Sequence, residues 1–249
     1  MRHQKQTVRP LASAVATAVA TAVATLGPCL PAQAQGWQAA VAVASDKVLR
    51  GASQSQSRPV WLLDASRVFD DTGVAASAGL AGPVLQAQGG QAEASLAISK
   101  PWQLDADWSL LASAAHYAYL GGALARAYRY QEAALQLGWR GQVTVGFSAS
   151  PHTQVFVPGS GLLAGPACTV DVGLHQRLAG TLALDLGLGW RGLAPRLGRS
   201  FLYGSAGLSW RQGPLHLFVT TTESRAPAAQ LPAAAPERRR WVGSVAWQF

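Results

Sequence analysis

The sequence predicts an all-β fold: a transmembrane antiparallel up-and-down β-barrel of about 12 strands, preceded by a cleaved leader. Three observations predict it. Charged residues are only 13 % of the chain while 26 Gly and nine Trp are present, a balance more apolar than that of a soluble domain. After the leader, no run has the length and apolarity of a membrane helix. The nearest, WSLLASAAHYAYLGGALA at 108–125, is rich in Ala, Gly and Tyr. Instead, stretches of about ten residues alternate large apolar with small or polar side chains, the period of a strand with one face in lipid.

The first 34 residues read as the leader. MRHQKQTVRP supplies Arg2, Lys5 and Arg9, LASAVATAVATAVATL is an apolar run, and Ala32-Gln33-Ala34 is a small-x-small cleavage site that makes Gln35 the mature N-terminus. An uncleaved anchor is the weaker reading, because the run is Ala-rich and ends at Gly27-Pro28. Cys29 follows Pro28 rather than a small residue, so a lipoprotein is not expected. The remaining domain, 35–249, keeps all 12 acidic residues and 17 of the 20 basic ones, a net charge of +5. Its lone Cys168 excludes an internal disulfide.

Along the domain, five segments alternate cleanly: 131–140, 143–149, 169–178, 181–191 and 214–222. In 181–191, Leu182, Leu184, Leu186, Leu188 and Trp190 oppose Thr181, Ala183, Asp185, Gly187, Gly189 and Arg191. Weaker candidates are 37–49, 60–69 (where Arg67 breaks the parity), 74–82, 92–102, 108–119 and 201–211. The last strand, 240–249, sets Trp241, Gly243, Val245, Trp247 and Phe249 against Val242, Ser244, Ala246 and Gln248. Short turns at 70–73, 104–107, 140–142, 178–181 and 211–214 alternate with long connections at 51–58, 82–91, 120–128, 150–166, 191–200 and 223–239. That asymmetry belongs to outer-membrane barrels, with long loops outside and both termini in the periplasm. A soluble sandwich or lipocalin-like barrel fits less well, because Asp, Arg and His share one parity, which suits a polar lumen.

ASDKVLRGASQSQSRP, residues 44–59, resembles the opening of the TorF-type family of porins, small proteobacterial outer-membrane proteins. The matching positions are Ser45, Asp46, Arg50, Gly51, Ser53, Gln54 and Pro59. Asp64, Glu93, Tyr117, Tyr119, Tyr130, Glu132, the SASP stretch 148–151 and the terminal aromatic strand also fit in order. Lys47 and Ala65 depart from it, standing where an aromatic residue is usual. The resemblance implies an outer-membrane barrel with a pore role, and no substrate or catalytic residue.

Inward parity collects Asp46, Arg50, Asp64, Glu93, Glu132, Arg140, Asp171, His175, Arg177, Asp185, Arg191, Arg211, Arg238 and Arg240. Arg140, Arg177 and Arg211 are expected at the periplasmic rim. Asp64, Asp171 and Asp185 are expected at mid-height, and Arg50, Glu93, Glu132 and Arg191 nearer the outside. Two readings stand: the charges line a narrow path for small polar solutes, or they pair across the lumen and plug it. A closed barrel working through its external loops in adhesion or envelope structure is the alternative function. A lipid-modifying enzyme ranks last: His175 is expected opposite Asp185, but no Ser completes a hydrolytic set. No metal-ligand cluster or cofactor motif is read.

ERRR, 237–240, is expected at the outer rim, meeting lipopolysaccharide phosphates or simply solvated. A nucleic-acid role is not expected of an exported chain. The Ala/Pro-rich tract 226–236 reads as an external loop. Trp247 and Phe249 resemble the signal read by the barrel-assembly machinery. The expected partners are therefore outer-membrane lipid, lipopolysaccharide, that machinery and small solutes. Oligomeric state is not readable.

Overall fold

Strand alternation sets what each face of the wall meets, so the fold follows from the registers. The computed structural model describes residues 36–55, 57–69, 71–84, 92–121, 129–157, 160–225 and 239–249. The leader, Arg238 and most of the 82–91, 120–128 and 223–239 connections lie outside the described residues. The strands are β1 (Trp37–Ala44), β2 (Val48–Leu49), β3 (Ala52–Ser53), β4 (Val60–Phe69), β5 (Val74–Pro83), β6 (Ala92–Gln103) and β7 (Trp108–Leu120). They continue as β8 (Tyr130–Trp139), β9 (Val143–Val157), β10 (Gly161–Ala179), β11 (Leu182–Leu193), β12 (Phe201–Gln212), β13 (Leu215–Ser224) and β14 (Arg239–Gln248). All but β2 and β3 close into one barrel, each strand antiparallel to its neighbours. Twelve strands therefore form the wall, as the alternation predicts.

Closure is made by β1 and β14, paired from Ala40↔Gln248 to Ala44↔Ser244. The Phe249 N–H then donates to the Ala39 carbonyl at 2.8 Å. This seam is the shortest in the wall, five residue pairs against seven or more at every other. A closed barrel satisfies all wall backbone groups and leaves no edge.

The two faces differ in chemistry. All nine Trp (37, 61, 102, 108, 139, 190, 210, 241 and 247) point outward. Between them the outer face carries exposed Leu96, Ile98, Leu135, Phe147, Leu188, Val219 and Val245. Six of the Trp cluster at the end where β1 begins and β14 finishes, and Trp61, Trp190 and Trp241 lie toward the other end. An apolar band between two aromatic girdles is a lipid-facing surface. The described tyrosines, Tyr117, Tyr119, Tyr130 and Tyr203, all face the lumen. Arg67 explains its broken parity: it faces outward in the girdle, over the rings of Trp37 (5.8 Å) and Phe69 (5.5 Å). A long basic side chain there covers apolar surface and reaches the headgroups.

Two elements depart from the sequence reading. The first strand, expected over 37–49, stops at Ala44, and the 51–58 stretch, expected as an external loop, folds into the barrel. The cause is local. The Ser45 N–H donates to the Gly243 carbonyl at 2.9 Å, and the Gly243 N–H donates to the Ser45 hydroxyl at 3.0 Å. These bonds end the ladder and turn the chain inward. Second, the 150–166 loop is largely strand, paired from Gly161↔Val157 to Ala167↔Ser150 with a register shift between Gly165 and Ala167. Pro166 sits at that shift, where a missing N–H is tolerated. A 3-10 turn, Pro195–Leu197, buries Leu197 completely beside Gly165.

Candidate functional site in the lumen

Residues 45–59 form the centre of the site. β2 and β3 pair as a hairpin, Val48↔Ser53 and Leu49↔Ala52, across the tight turn Arg50-Gly51. Both turn residues have positive φ, 54° and 74°, as a two-residue type I′ turn demands. Gly51 is required twice over: by that φ, and because a Cβ there would lie 2.6 Å from the Ser224 Cβ. The hairpin stem is held by Asp46, which accepts from the hydroxyls of Ser53 (2.7 Å) and Ser55 (2.6 Å). The Gln54 N–H donates to the Lys47 carbonyl at 2.6 Å, and the Lys47 N–H to the Ser55 hydroxyl at 3.0 Å.

Three charges of this segment meet the wall. Lys47 Nζ lies 2.6 Å from Glu93 Oε2 on β6, with both side chains at most 6 % exposed. Arg50 Nη2 donates to Glu132 Oε2 on β8 at 2.6 Å and to the Ser148 hydroxyl on β9 at 3.1 Å. Asp46 Oδ2 lies 3.5 Å from Arg240 Nη1 on β14, and Arg240 also donates to the Ser57 hydroxyl. β8 and β9 stand on the far side of the barrel from β1. Arg50 therefore carries the chain across the full lumen. Ion pairs this buried give little net stability when intact, but removing one partner strands the other charge at about 3–5 kcal/mol. The segment is fixed by matched charge together with the burial of Val48 and Ala52.

Tyrosines frame these contacts. Tyr119 faces Glu93 across the β6–β7 ladder. Tyr117 stacks on Tyr130 with centroids 4.5 Å apart, and Tyr130 lies two residues from Glu132 on the same face. Tyr203 donates its hydroxyl to Asp171, and its ring lies against Gly189, where any side chain would strike it. Arg191 is bonded to hydroxyls, Thr169 Oγ1 at 3.2 Å and Thr153 Oγ1 at 3.3 Å.

Below this level the lumen is lined by Ser77, Gly79, Ser95, Ala97, Ser113, Ala134, Gly146, Gly173, Gly187, Ser205 and Gly207. Among these small residues the inward-facing Asp64 is exposed, while Leu111, His216 and Phe218, also inward-facing in this half, are buried. The outer half is thus filled by the inserted segment, and the inner half mixes small side chains with larger ones.

The sequence-predicted residues divide accordingly. Arg50, Glu132 and Arg191 come together in the outer half with Asp46, Glu93, Asp171 and Arg240. Asp46 and Arg50 reach the lumen on the inserted segment and not on a wall strand. His175 stands opposite Asp185 in register, its Nδ1 2.6 Å from Asp185 Oδ1. Arg177 and Arg211 face inward near the lower rim.

Arg140 is a correction: it leaves the wall at the Arg140-Gly141 turn (φ 51° and 66°) and does not face the lumen. It lies over Trp139 (4.9 Å) and grips Asp107 of the neighbouring turn with two bonds of 3.0 Å. The Arg140 guanidinium holds the Asp107 carboxyl below the usual carboxylate range.

Sequence reasoning missed Lys47, Tyr203, Ser148 and Ser209. Lys47 had been read only as a departure from a family pattern, yet it is the buried partner of Glu93. Ser209 donates to Asp185 Oδ2 at 2.5 Å. Its hydroxyl therefore sits on the carboxylate and not on the imidazole, the wrong order for a Ser-His-Asp nucleophile. The signal for Ser209 was its inward parity on β12, one strand beyond Asp185.

Trp247 and Phe249 face outward at the lower girdle, Phe249 being 74 % exposed. Among the described residues no group of three or more His, Cys, Asp or Glu is arranged to hold a metal.

No family model matches the sequence, and no curated protein matches it. Among solved structures, the chain is similar to a KdgM porin at 8 % identity and a TM-score of 0.56, over 85 % of this chain and 99 % of that one. It is similar to a NanC porin at 7 % identity and a TM-score of 0.57, over 86 % and 99 %. An OmpF structure from Salmonella typhi gives 7 % identity and a TM-score of 0.51, over 86 % and 96 %. At such identities the likeness is one of fold: a porin-like outer-membrane β-barrel.

Proposed function

We propose that the chain is exported with its first 34 residues as a cleaved leader, inserted in the bacterial outer membrane by the barrel-assembly machinery, and acts there as a narrow channel for small polar solutes. The observation that carries this reading is the lumen's polar lining: serines, glycines and the His175–Asp185 pair in the inner half beneath a ring of charges and tyrosines. The TorF-type resemblance supports it, because residues 44–59 that carry the resemblance are the ones that fill the outer half. Lipid and lipopolysaccharide are the expected surroundings; of the ERRR run, Arg239 is exposed at the outer end of β14 while Arg240 is turned into the lumen onto Asp46, contrary to the expectation that it meets the headgroups.

The inserted segment favours a second reading, a barrel kept closed whose external loops do the work. Conductance separates the two. Purified, heat-modifiable protein in planar bilayers should give small discrete steps. Replacing 46–58 with a short Gly-Ser linker should enlarge them several-fold. Absence of steps from both proteins would overturn the channel.

A further inference from the structure

We infer that Lys47 and Arg50 occupy the lumen's own binding site for a cationic peptide-like solute, a basic amino acid or a short basic peptide. The inserted segment is then a resident stand-in that this solute displaces. The inference rests on the channel reading for its transport role, but not for the site itself.

The wall supplies two carboxylates, each beside aromatic hydroxyls. Glu93 takes an ammonium at 2.6 Å next to Tyr119, and Glu132 takes a guanidinium at 2.6 Å next to Tyr130, with Ser148 accepting a second bond. Both carboxylates are buried, Glu93 at 5 % and Glu132 at 8 % exposed. They stand on wall strands, so they stay in place whatever the segment does. Without Lys47 and Arg50 they would face the lumen uncompensated, which is costly, so a cation of the same form is what they select. The third charge of the segment has the opposite sign: Asp46 presents a carboxylate to Arg240. Two cations and one carboxylate on a peptide backbone are the charge pattern of a basic peptide.

The wall charges at this level agree. Glu93, Glu132 and Asp171 outnumber Arg191 and Arg240, and Arg191 is turned to Thr169 and Thr153. A purely anionic solute would meet a ring with an excess of like charge.

The segment is also built to leave. Its side-chain bonds to the wall are polar and its hairpin has only two residue pairs, so water and solute can replace those bonds, and the small apolar surface that withdrawal uncovers is that of Val48 and Ala52. Arg50 holds a positive φ that a non-glycine residue adopts at a cost. Withdrawal relieves that cost.

The test uses L-arginine and agmatine, its analogue without the carboxylate, as probes. The protein is the Lys47→Gln/Arg50→Gln variant purified in detergent and checked for heat-modifiable folding. Calorimetric binding of L-arginine is expected, weakened at least tenfold by adding Glu132→Gln, with agmatine weaker than arginine. Binding of glutamate in preference to arginine, or no binding by the folded variant, overturns the inference. In bilayers, L-arginine should raise the open fraction of the wild-type protein. The same double variant should stay open and favour K+ over Cl−, and a folded variant that favours Cl− also overturns the inference. Should arginine bind while no protein conducts, the site stands and the channel reading fails. An Ala52→Cys variant gives an independent readout: arginine should speed its reaction with a water-soluble maleimide several-fold, and an unchanged rate counts against displacement.

Discussion

Arg50 and Arg140 each precede a glycine in a turn of positive φ, yet they do opposite work. Arg140 stays in water and pairs with Asp107, both side chains well exposed (55 % and 43 %). Such a pair adds little stability. Its effect is read on the carboxyl, which the guanidinium keeps ionised below the usual range. The pair is therefore intact above the ordinary carboxylate pKa and lost only as pH falls through the lowered value. Arg140→Ala should move the Asp107 carboxyl back up to the ordinary carboxylate range and leave single-channel conductance unchanged. A carboxyl-carbon NMR titration and a bilayer recording check the two halves, and altered conductance would return Arg140 to the lumen. Arg50, in contrast, is buried against Glu132, and its neighbour Gly51 decides whether it can be. Gly51→Ala adds a left-handed cost of about 1–2 kcal/mol and a Cβ that Ser224 must avoid. That is on the order of a tenfold loss in the seated hairpin. The expected result is a larger open fraction with unchanged heat-modifiability, and a wild-type open fraction would show that the hairpin tip does not hold the segment.

The strands were legible wherever one face meets lipid, because a one-residue slip would put Leu and Trp into the lumen. The 181–191 segment is the clearest case: its four Leu and Trp190 lie outside as the parity requires. Residues 45–59 were not legible. They have no period, and their charges suit an external loop as well as a lumen; only the pairing partners on β6, β8 and β14, distant in sequence, decide between them. The Arg-Gly turns were a usable signal, but weaker than Asn-Gly, since arginine at positive φ is uncommon. The 150–166 stretch misled for a different reason, three prolines and three glycines hiding strands that a bulge lets through. The β1–β14 seam was read correctly from the aromatic ending, and its shortness makes it sensitive. Phe249 adds the last backbone bond, to Ala39, below only five pairs. Deleting Phe249 should lower the amount of heat-modifiable barrel in membranes several-fold while barrels that do form conduct normally. Membrane levels equal to wild type would remove Phe249 from the assembly signal.

At the scale of the whole molecule, tryptophan and tyrosine are sorted: every tryptophan faces the outside and the described tyrosines face the lumen. Indole offers one N–H and a large apolar face, which suits the boundary between acyl chains and headgroups. A phenol can both donate and accept, which suits a lumen where carboxylates and guanidiniums need neutral partners. This sorting makes intrinsic fluorescence a probe of the lipid face alone, since all nine Trp lie there. The girdle heights sharpen the expectation. Six Trp near one rim and three toward the other leave few at mid-depth. In vesicles of brominated phospholipid, bromines near the headgroup end of the acyl chain should quench more than bromines near the chain's end. Acrylamide in the water should quench weakly, and L-arginine should alter neither result, because the lumen contains no indole among the described residues. Strong quenching by acrylamide with weak quenching by brominated lipid would mean that the apolar band does not face a membrane, and with it the reading of every inward residue as lumen-lining would fall.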